Sequence, residues 1–197
     1  LQKMSNYAST QNPGDALTGI WDQSYKGIRN ANDVLTYIEW AKGALIYQVF
    51  PDRFARAGWC DCTGKLGPYT VHDDWNEEVN WRPDEQGIIQ NNDFFGGNFR
   101  GIIEKLDYIA SFGVTCIYLN PIFEAHANHR YNTANYLKAD PLLGTNEEFA
   151  ALCAAAAKQG IRIILDGVFS HTGSDSVYFN REGRYGPGGA YRDRSSP

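Results

Sequence analysis

Ile161-Arg162-Ile163-Ile164-Leu165-Asp166-Gly167-Val168-Phe169-Ser170-His171 joins an apolar run to a polar, chemistry-bearing turn. Four of its first five residues are apolar, with no clean alternation, which is the pattern of a parallel strand covered on both faces. A carboxylate and an imidazole, Asp166 and His171, follow where such a strand ends. In closed α/β barrels the C-terminal ends of the strands carry the chemistry, because the βα loops converge there over a packed scaffold.

Two earlier runs repeat the pattern. Residues 44–50 are rich in β-forming side chains and are stopped by Pro51, and residues 114–119 are ended by Asn120-Pro121. Between them Asn98 caps a helix expected over 98–112, with Ile102, Ile103, Leu106 and Ile109 on one face and Gly113 as its stop. Thr145 and Glu148 make a capping box for a helix over 146–159 that ends at Gly160. Strand, helix, strand, helix, strand is the signature of a parallel α/β sheet. No G-x-G-x-x-G follows a strand and no P-loop is present, so a nucleotide-binding doubly wound sheet is set aside. Long loops leave the strand ends at 52–97 and 122–144, which favours a barrel. The expected fold is α/β: residues 43–197 as the first three βα units of a (β/α)8 TIM barrel, preceded by a short helical segment over 1–42. A three-stranded wall is expected to leave an edge strand and apolar faces uncovered.

The opening segment reads differently. Asn12-Pro13-Gly14-Asp15 is a turn cluster, and from Leu17 onward Ile20, Trp21, Ile28, Val34, Leu35 and Ile38 recur at roughly helical spacing. One or two amphipathic packing helices ending near Lys42-Gly43 are expected there.

Composition narrows the function. A net charge of −5 leaves no basic footprint for nucleic acid or an anionic membrane. No apolar run reaches the roughly 18 residues that a membrane span requires. Leu1-Gln2-Lys3-Met4 opens no signal-peptide pattern, so a cytoplasmic location is expected. Cys116 in a strand pattern and Cys153 in an alanine-rich helix read as buried thiols rather than as a disulfide framework. Cys60 and Cys62 form a lone C-x-C, and a zinc reading there has only His72 near in sequence. Five Trp, 12 Tyr and 10 Phe serve either as core filling or as a site that stacks flat faces such as sugar rings or bases.

Three acids stand at strand ends: Asp52, Glu124 and Asp166. Asp166 and His171 share one loop and suit a small polar ligand, the carboxylate accepting from hydroxyls and the imidazole donating to an oxygen. The alternative is that Asp166 caps the loop backbone and His171 packs within the loop. His126, His129 and His171 allow a zinc reading, while Tyr131 offers a face for the apolar side of a sugar, with polar groups beside it reading the hydroxyls.

At these residues the chain resembles the α-amylase family, glycoside hydrolase family 13. Asp166-Gly167-Val168-Phe169-Ser170-His171 is similar to that family's D-x-V-x-N-H region, and Ile46-Tyr47-Gln48-Val49-Phe50-Pro51-Asp52-Arg53-Phe54 to its first barrel strand. Phe95-Gly96-Gly97-Asn98-Phe99-Arg100-Gly101-Ile102 resembles the entry to its first barrel helix, and residues 113–123 its second strand. Asn128-His129-Arg130-Tyr131-Asn132-Thr133-Ala134-Asn135-Tyr136 resembles the N-H-K-Y-D-T-A-D-Y loop of the neopullulanase and cyclomaltodextrinase branch. Residues 21–35 are similar instead to a helix of the SusD-like glycan-binding lipoproteins of outer membranes.

The resemblance implies retaining hydrolysis of α-1,4 or α-1,6 glucosidic bonds in maltodextrin, cyclodextrin or pullulan, with a carboxylate nucleophile and a carboxylic acid about 5 Å apart. It implies that Tyr131 stacks on the glucose at the cleavage point. Asp166 and His171 would hydrogen-bond that sugar's hydroxyls and favour the oxocarbenium-like ring, and His129 joins them as a substrate-binding residue. The nucleophile and acid lie after the family's fourth and fifth strands, beyond Pro197, so this chain alone is expected to be inactive. An α-glucan oligosaccharide is the expected partner, with a homodimer open for the complete protein. Calcium is the cofactor the family makes available, but Ser170 stands where Asn is common, and Asn98, Asn132 and Asn135 stand where Asp is common. Fewer carboxylates argue against Ca²⁺, so no metal and no other cofactor is expected. The alternative function is a non-catalytic glycan-binding protein built on the Trp and Tyr platforms.

Overall fold

The computed structural model describes residues 39–195. A unit boundary falls between Ala44 and Leu45. Of the first unit a 3-10 helix at Glu39–Gly43 is described, and the helices expected over 17–38 lie outside the described residues. In chain order the second unit runs β1 (Ile46–Val49), a 3-10 turn at Pro51–Arg53, β2 (Thr70–Val71), β3 (Asp93–Phe94), α1 (Phe99–Glu104), α2 (Leu106–Ser111), β4 (Cys116–Leu119), β5 (Phe123–Ala125), β6 (Thr133–Ala139), α3 (Asn146–Lys158) and β7 (Arg162–Leu165).

Strands β1, β4 and β7 pair in parallel in that order, with Gln48↔Tyr118↔Ile164 and Val49↔Leu119↔Leu165 in register. Alternation then sends Tyr47, Val49, Ile117, Leu119, Ile163 and Leu165 to one face, where Val49, Ile117 and Leu119 are buried in the core and Tyr47, Ile163 and Leu165 pack against it. Phe99, Ile102, Leu106 and Ile109 from α1 and α2, with Leu152 and Ala156 from α3, close that core at 2% exposure or less. Each large apolar side chain so buried contributes about 1.5–3 kcal/mol. The other face carries Ile46, Gln48, Cys116, Tyr118, Arg162 and Ile164. Ile46 is 51% exposed there, while Cys116 on the central strand is buried.

The helix expected as one piece over 98–112 is two. Lys105 leaves helical dihedrals (φ −102°, ψ 2°), and its N–H bonds to Ile102 O, three residues back, at 3.0 Å. Both halves still bury an apolar face. The helix after Gly144 forms as its cap dictates: Thr145 Oγ1 accepts from Glu148 N–H at 3.2 Å and Glu148 Oε2 from Thr145 N–H at 2.9 Å. Thr145→Ala is expected to lower stability by about 1 kcal/mol in urea denaturation.

The region expected to be a polar loop at 122–144 holds an antiparallel pair, β5 with β6, its register shifted on both sides of Glu124. Its alternation is concealed because the buried positions of β6 are small, Thr133, Ala134 and Ala139, and Asn135 and Lys138 lie between them. Within 52–97, β2 and β3 form a two-residue parallel pair. Arg56 organises that segment by donating to the carbonyls of His72, Phe95 and Asp73 while stacking on Trp59 at 4.2 Å. The tryptophans of this segment, Trp59, Trp75 and Trp81, do not fill a core. Trp59 and Trp81 are more than half exposed.

Two of the acids expected at strand ends have structural partners. Asp52 is fully buried and accepts from the N–H groups of Phe95 and Gly96 and from Arg53 Nε. Its carboxylate therefore fixes the turn into α1. Glu124, inside β5, pairs with Lys138 at 2.6 Å. Cys116 is buried as expected, but Cys153 is only half-buried, and all four thiols are free.

Candidate functional site

The ladder of the main sheet continues one step past the strands. Asn120 N–H donates to Val49 O and Asp166 N–H to Leu119 O, both at 3.0 Å. Asn120 and Asp166 lie two residues beyond Tyr118 and Ile164, so they fall on the same face as Gln48, Tyr118 and Ile164, the face that the helices do not cover. The backbone therefore delivers a polar row to the C-terminal rim.

A directed chain of hydrogen bonds crosses that row. Gln48 Nε2 donates to Asn120 Oδ1 at 3.0 Å, Asn120 Nδ2 to Tyr131 Oη at 3.2 Å, and Tyr131 Oη to Asp166 Oδ2 at 2.8 Å. The bond to the carboxylate, then partial burial, pushes the Tyr131 phenol above its ordinary pKa, because both favour the neutral form. Tyr118 is pushed up as well, by burial first and then by the neighbouring Asp166 carboxylate. Two neutral phenols thus flank a carboxylate that can accept hydrogen bonds from ligand hydroxyls.

His129 supports the platform from behind: Tyr131 N–H donates to His129 Nδ1 at 3.0 Å, with the two rings 5.9 Å apart. His171 stands apart. Its exposed ring has Ser170 Oγ 3.0 Å from Nδ1, and among the described residues no hydrogen bond or ion pair joins it to Asp166. Its backbone is held, since Tyr136 Oη lies 2.7 Å from both Val168 O and His171 O and has one proton for the two. Val168 in this turn adopts φ 42°, a left-handed conformation that a β-branched residue tolerates only when its surroundings enforce it.

Sequence reasoning brought Tyr131, His129 and Asp166 together. It missed Gln48, Asn120, Tyr118 and Tyr136. The signal for the first three was strand alternation itself, since all lie on one face. Tyr136 was hidden because its strand went unread.

The metal readings do not assemble. Both ring nitrogens of His72 face carboxylates, Glu77 at 2.5 Å and Asp93 at 3.4 Å, and His126 Nε2 lies 3.8 Å from Asp175 while His129 accepts from Tyr131. Among the described residues no group of three or more His, Cys, Asp or Glu converges on a point. Asn98, one of the four positions weighed for calcium, uses its amide internally: Oδ1 accepts from Gly101 N–H at 2.8 Å and Ala57 N–H at 3.2 Å, while Nδ2 donates to Ala57 O at 3.2 Å. No helix among the described residues is long and apolar enough to cross a membrane.

Burial holds both His126 and His129 below the ordinary histidine pKa. A depressed folded pKa means that the associated stability is present above the unfolded value, about 6.5, and is lost as pH falls below it. Protonation at Nδ1 would also remove the acceptor for Tyr131 N–H. The midpoint of thermal unfolding is therefore expected to fall between pH 7.5 and pH 5, and to fall less in His129→Asn. An equal fall in both proteins would contradict the assignment.

The family model of the alpha amylase catalytic domain matches residues 48–194. An amylopullulanase of Thermoanaerobacterium saccharolyticum is 47% identical over 167 residues, covering 79% of this chain and 13% of that protein. The intracellular maltogenic amylase of Bacillus subtilis is 39% identical over 155 residues, covering 79% of this chain and 24% of the relative. Among solved structures, the cyclic α-maltosyl-(1→6)-maltose hydrolase of Arthrobacter globiformis superposes with a TM-score of 0.56 at 41% identity, over 70% of this chain and 28% of that one. The chain thus spans less than a third of each of these relatives, and it belongs to the α-amylase family of glycoside hydrolases.

Proposed function

We propose that the protein carrying this chain hydrolyses α-1,4 and α-1,6 glucosidic bonds in maltodextrin, cyclodextrin or pullulan, with retention at the anomeric carbon. In this reading residues 43–197 are the first three βα units of its (β/α)8 barrel, and the sheet face bearing Gln48, Tyr118 and Ile164 is the barrel interior. The observation that carries the proposal is the Tyr131–Asp166 hydrogen bond at the C-terminal rim, 2.8 Å long. It sets an aromatic face beside a carboxylate, the pair needed to hold one sugar by its apolar side and its hydroxyls.

Tyr131 stacks on the glucose at the cleavage point and His129 fixes its backbone. Asp166 accepts from the sugar's hydroxyls, and its charge favours the ring as positive charge develops. His171, exposed on its loop, donates to a hydroxyl from the far side. The nucleophile and the acid that protonates the leaving oxygen come from later strands of the barrel. No step runs through a metal. The protein acts in the cytoplasm in this reading, in keeping with the word intracellular in the name of the Bacillus relative, and the complete protein assembles as a homodimer, which sedimentation would read directly. A purely glycan-binding role is not favoured, because the named relatives are hydrolases.

Tyr131→Ala is expected to reduce kcat/KM on maltotriose about 10- to 100-fold, corresponding to roughly 1.5–3 kcal/mol for a stacked aromatic ring. Steady-state kinetics on the protein as its gene encodes it would check this. An unchanged kcat/KM would remove Tyr131 from the site.

A further inference from the structure

We propose that Arg130 is the positioning residue that aims Tyr131 at Asp166, acting from a buried charge triad with Asp140 and Lys65. This rests on the reading of Tyr131 as the sugar platform. The side chains of Arg130, Asp140 and Lys65 are all fully buried. Arg130 Nη2 lies 3.3 Å from Asp140 Oδ1, and Lys65 Nζ lies 2.9 Å from Asp140 Oδ2. Both cations also lie over the ring of Phe94, at 5.4 and 4.8 Å from its centroid. Burial alone would raise the Asp140 carboxyl, but the two cations outweigh it and hold it below the ordinary value. Lys65 Nζ also donates to Ala125 O, so the triad ties the 52–97 segment to the β5–β6 pair.

Packing alone does not account for this arrangement. A charge this deep destabilises unless it is well paired, and the Arg130 Nε remains buried without a hydrogen-bond partner. Arg130 also adopts φ 59°, the left-handed region, a conformation that costs about 1–3 kcal/mol and concentrates at functional sites. The backbone is locked in that state: Arg130 N–H donates to Ala127 O at 3.1 Å, and its carbonyl accepts from Thr133 Oγ1 at 3.2 Å. The guanidinium closes the turn by donating from Nη1 to Asn128 O at 2.9 Å. Asn128 is itself anchored to Asp93 through Nδ2 at 3.0 Å. Inward capture of Arg130 forces the next side chain, Tyr131, outward toward Asp166.

The test is the ionisation of Tyr131, followed by 19F NMR in protein whose tyrosines are replaced by 3-fluorotyrosine, for the parent, Arg130→Lys and Arg130→Met. Loss of a nearby cation would by itself push a phenol up. Loss of aim breaks the bond to Asp166 and lets the phenol fall. The proposal expects the Tyr131 pKa to drop by roughly 0.5 or more in Arg130→Met, with Arg130→Lys between. A Tyr131 value unchanged or raised in either folded variant overturns it. So does an Arg130→Lys protein that does not fold, since the residue would then serve folding. Maltotriose binding by the parent is measured separately: its absence would refute the proposed function while the titration still decides the aim.

Discussion

Asp166→Asn is expected to lower kcat/KM on maltotriose by at least about 10³-fold in the protein as its gene encodes it, with the fold intact. The substitution keeps size and one acceptor oxygen but removes the negative charge. In the proposed reaction positive charge builds on the sugar ring, and a preformed carboxylate beside it stabilises that state by several kcal/mol, of which about 4 suffices for the expected loss. Tyr131 donates to this carboxylate at 2.8 Å, so the amide also weakens the platform. Stability should change little, because Asp166 is only half-buried and its strand is held by the ladder to β4. Activity and the urea midpoint measured on the same preparations separate the two effects. A variant within tenfold of the parent would mean that the site lies elsewhere.

Gly97→Ala is expected to destabilise by about 3 kcal/mol or more, a large effect for one methyl. A Cβ at Gly97 would stand 2.1 Å from Pro51 O and 2.7 Å from the Asp52 carbonyl carbon. The backbone cannot yield easily, because Gly97 N–H bonds to Asp52 O at 3.0 Å and the Asp52 carboxylate holds Phe95 and Gly96. Gly101 repeats the restriction one turn later, with Ala55 O 2.1 Å from its would-be Cβ. Both glycines let the segment after β1 pass against α1. The measurement is the denaturation midpoint of Gly97→Ala, and an unchanged value would contradict this packing.

The parallel strands and α3 were legible because their signals are local. A four-residue apolar run and a Thr-x-x-Glu box each specify an element without help from the rest of the chain. The β5–β6 pair was not, because β6 buries Thr133, Ala134 and Ala139, whose small size carries no periodic signal. Lys105 interrupts the first helix although it is a good helix former, so the break is tertiary in origin. At the site, Tyr131 and Asp166 stood out from their residue types and their places after the strands, His129 was added through the family resemblance, and the three meet in space. Asn120 and Gln48 needed the register of β1 against β4 before their common face could be seen. Asp52 looked like a site acid in one dimension, and only its bonds to the amides of Phe95 and Gly96 show it as a structural anchor.

Retaining hydrolysis of α-glucosidic bonds would show in the anomeric configuration of the first product. Cyclodextrin or pullulan would be treated with the protein as its gene encodes it while proton NMR follows the new reducing end. Early accumulation of the α-anomer, abolished by Asp166→Asn, is the predicted result. Early accumulation of the β-anomer, or no new reducing ends from maltodextrin, cyclodextrin and pullulan alike, would contradict it.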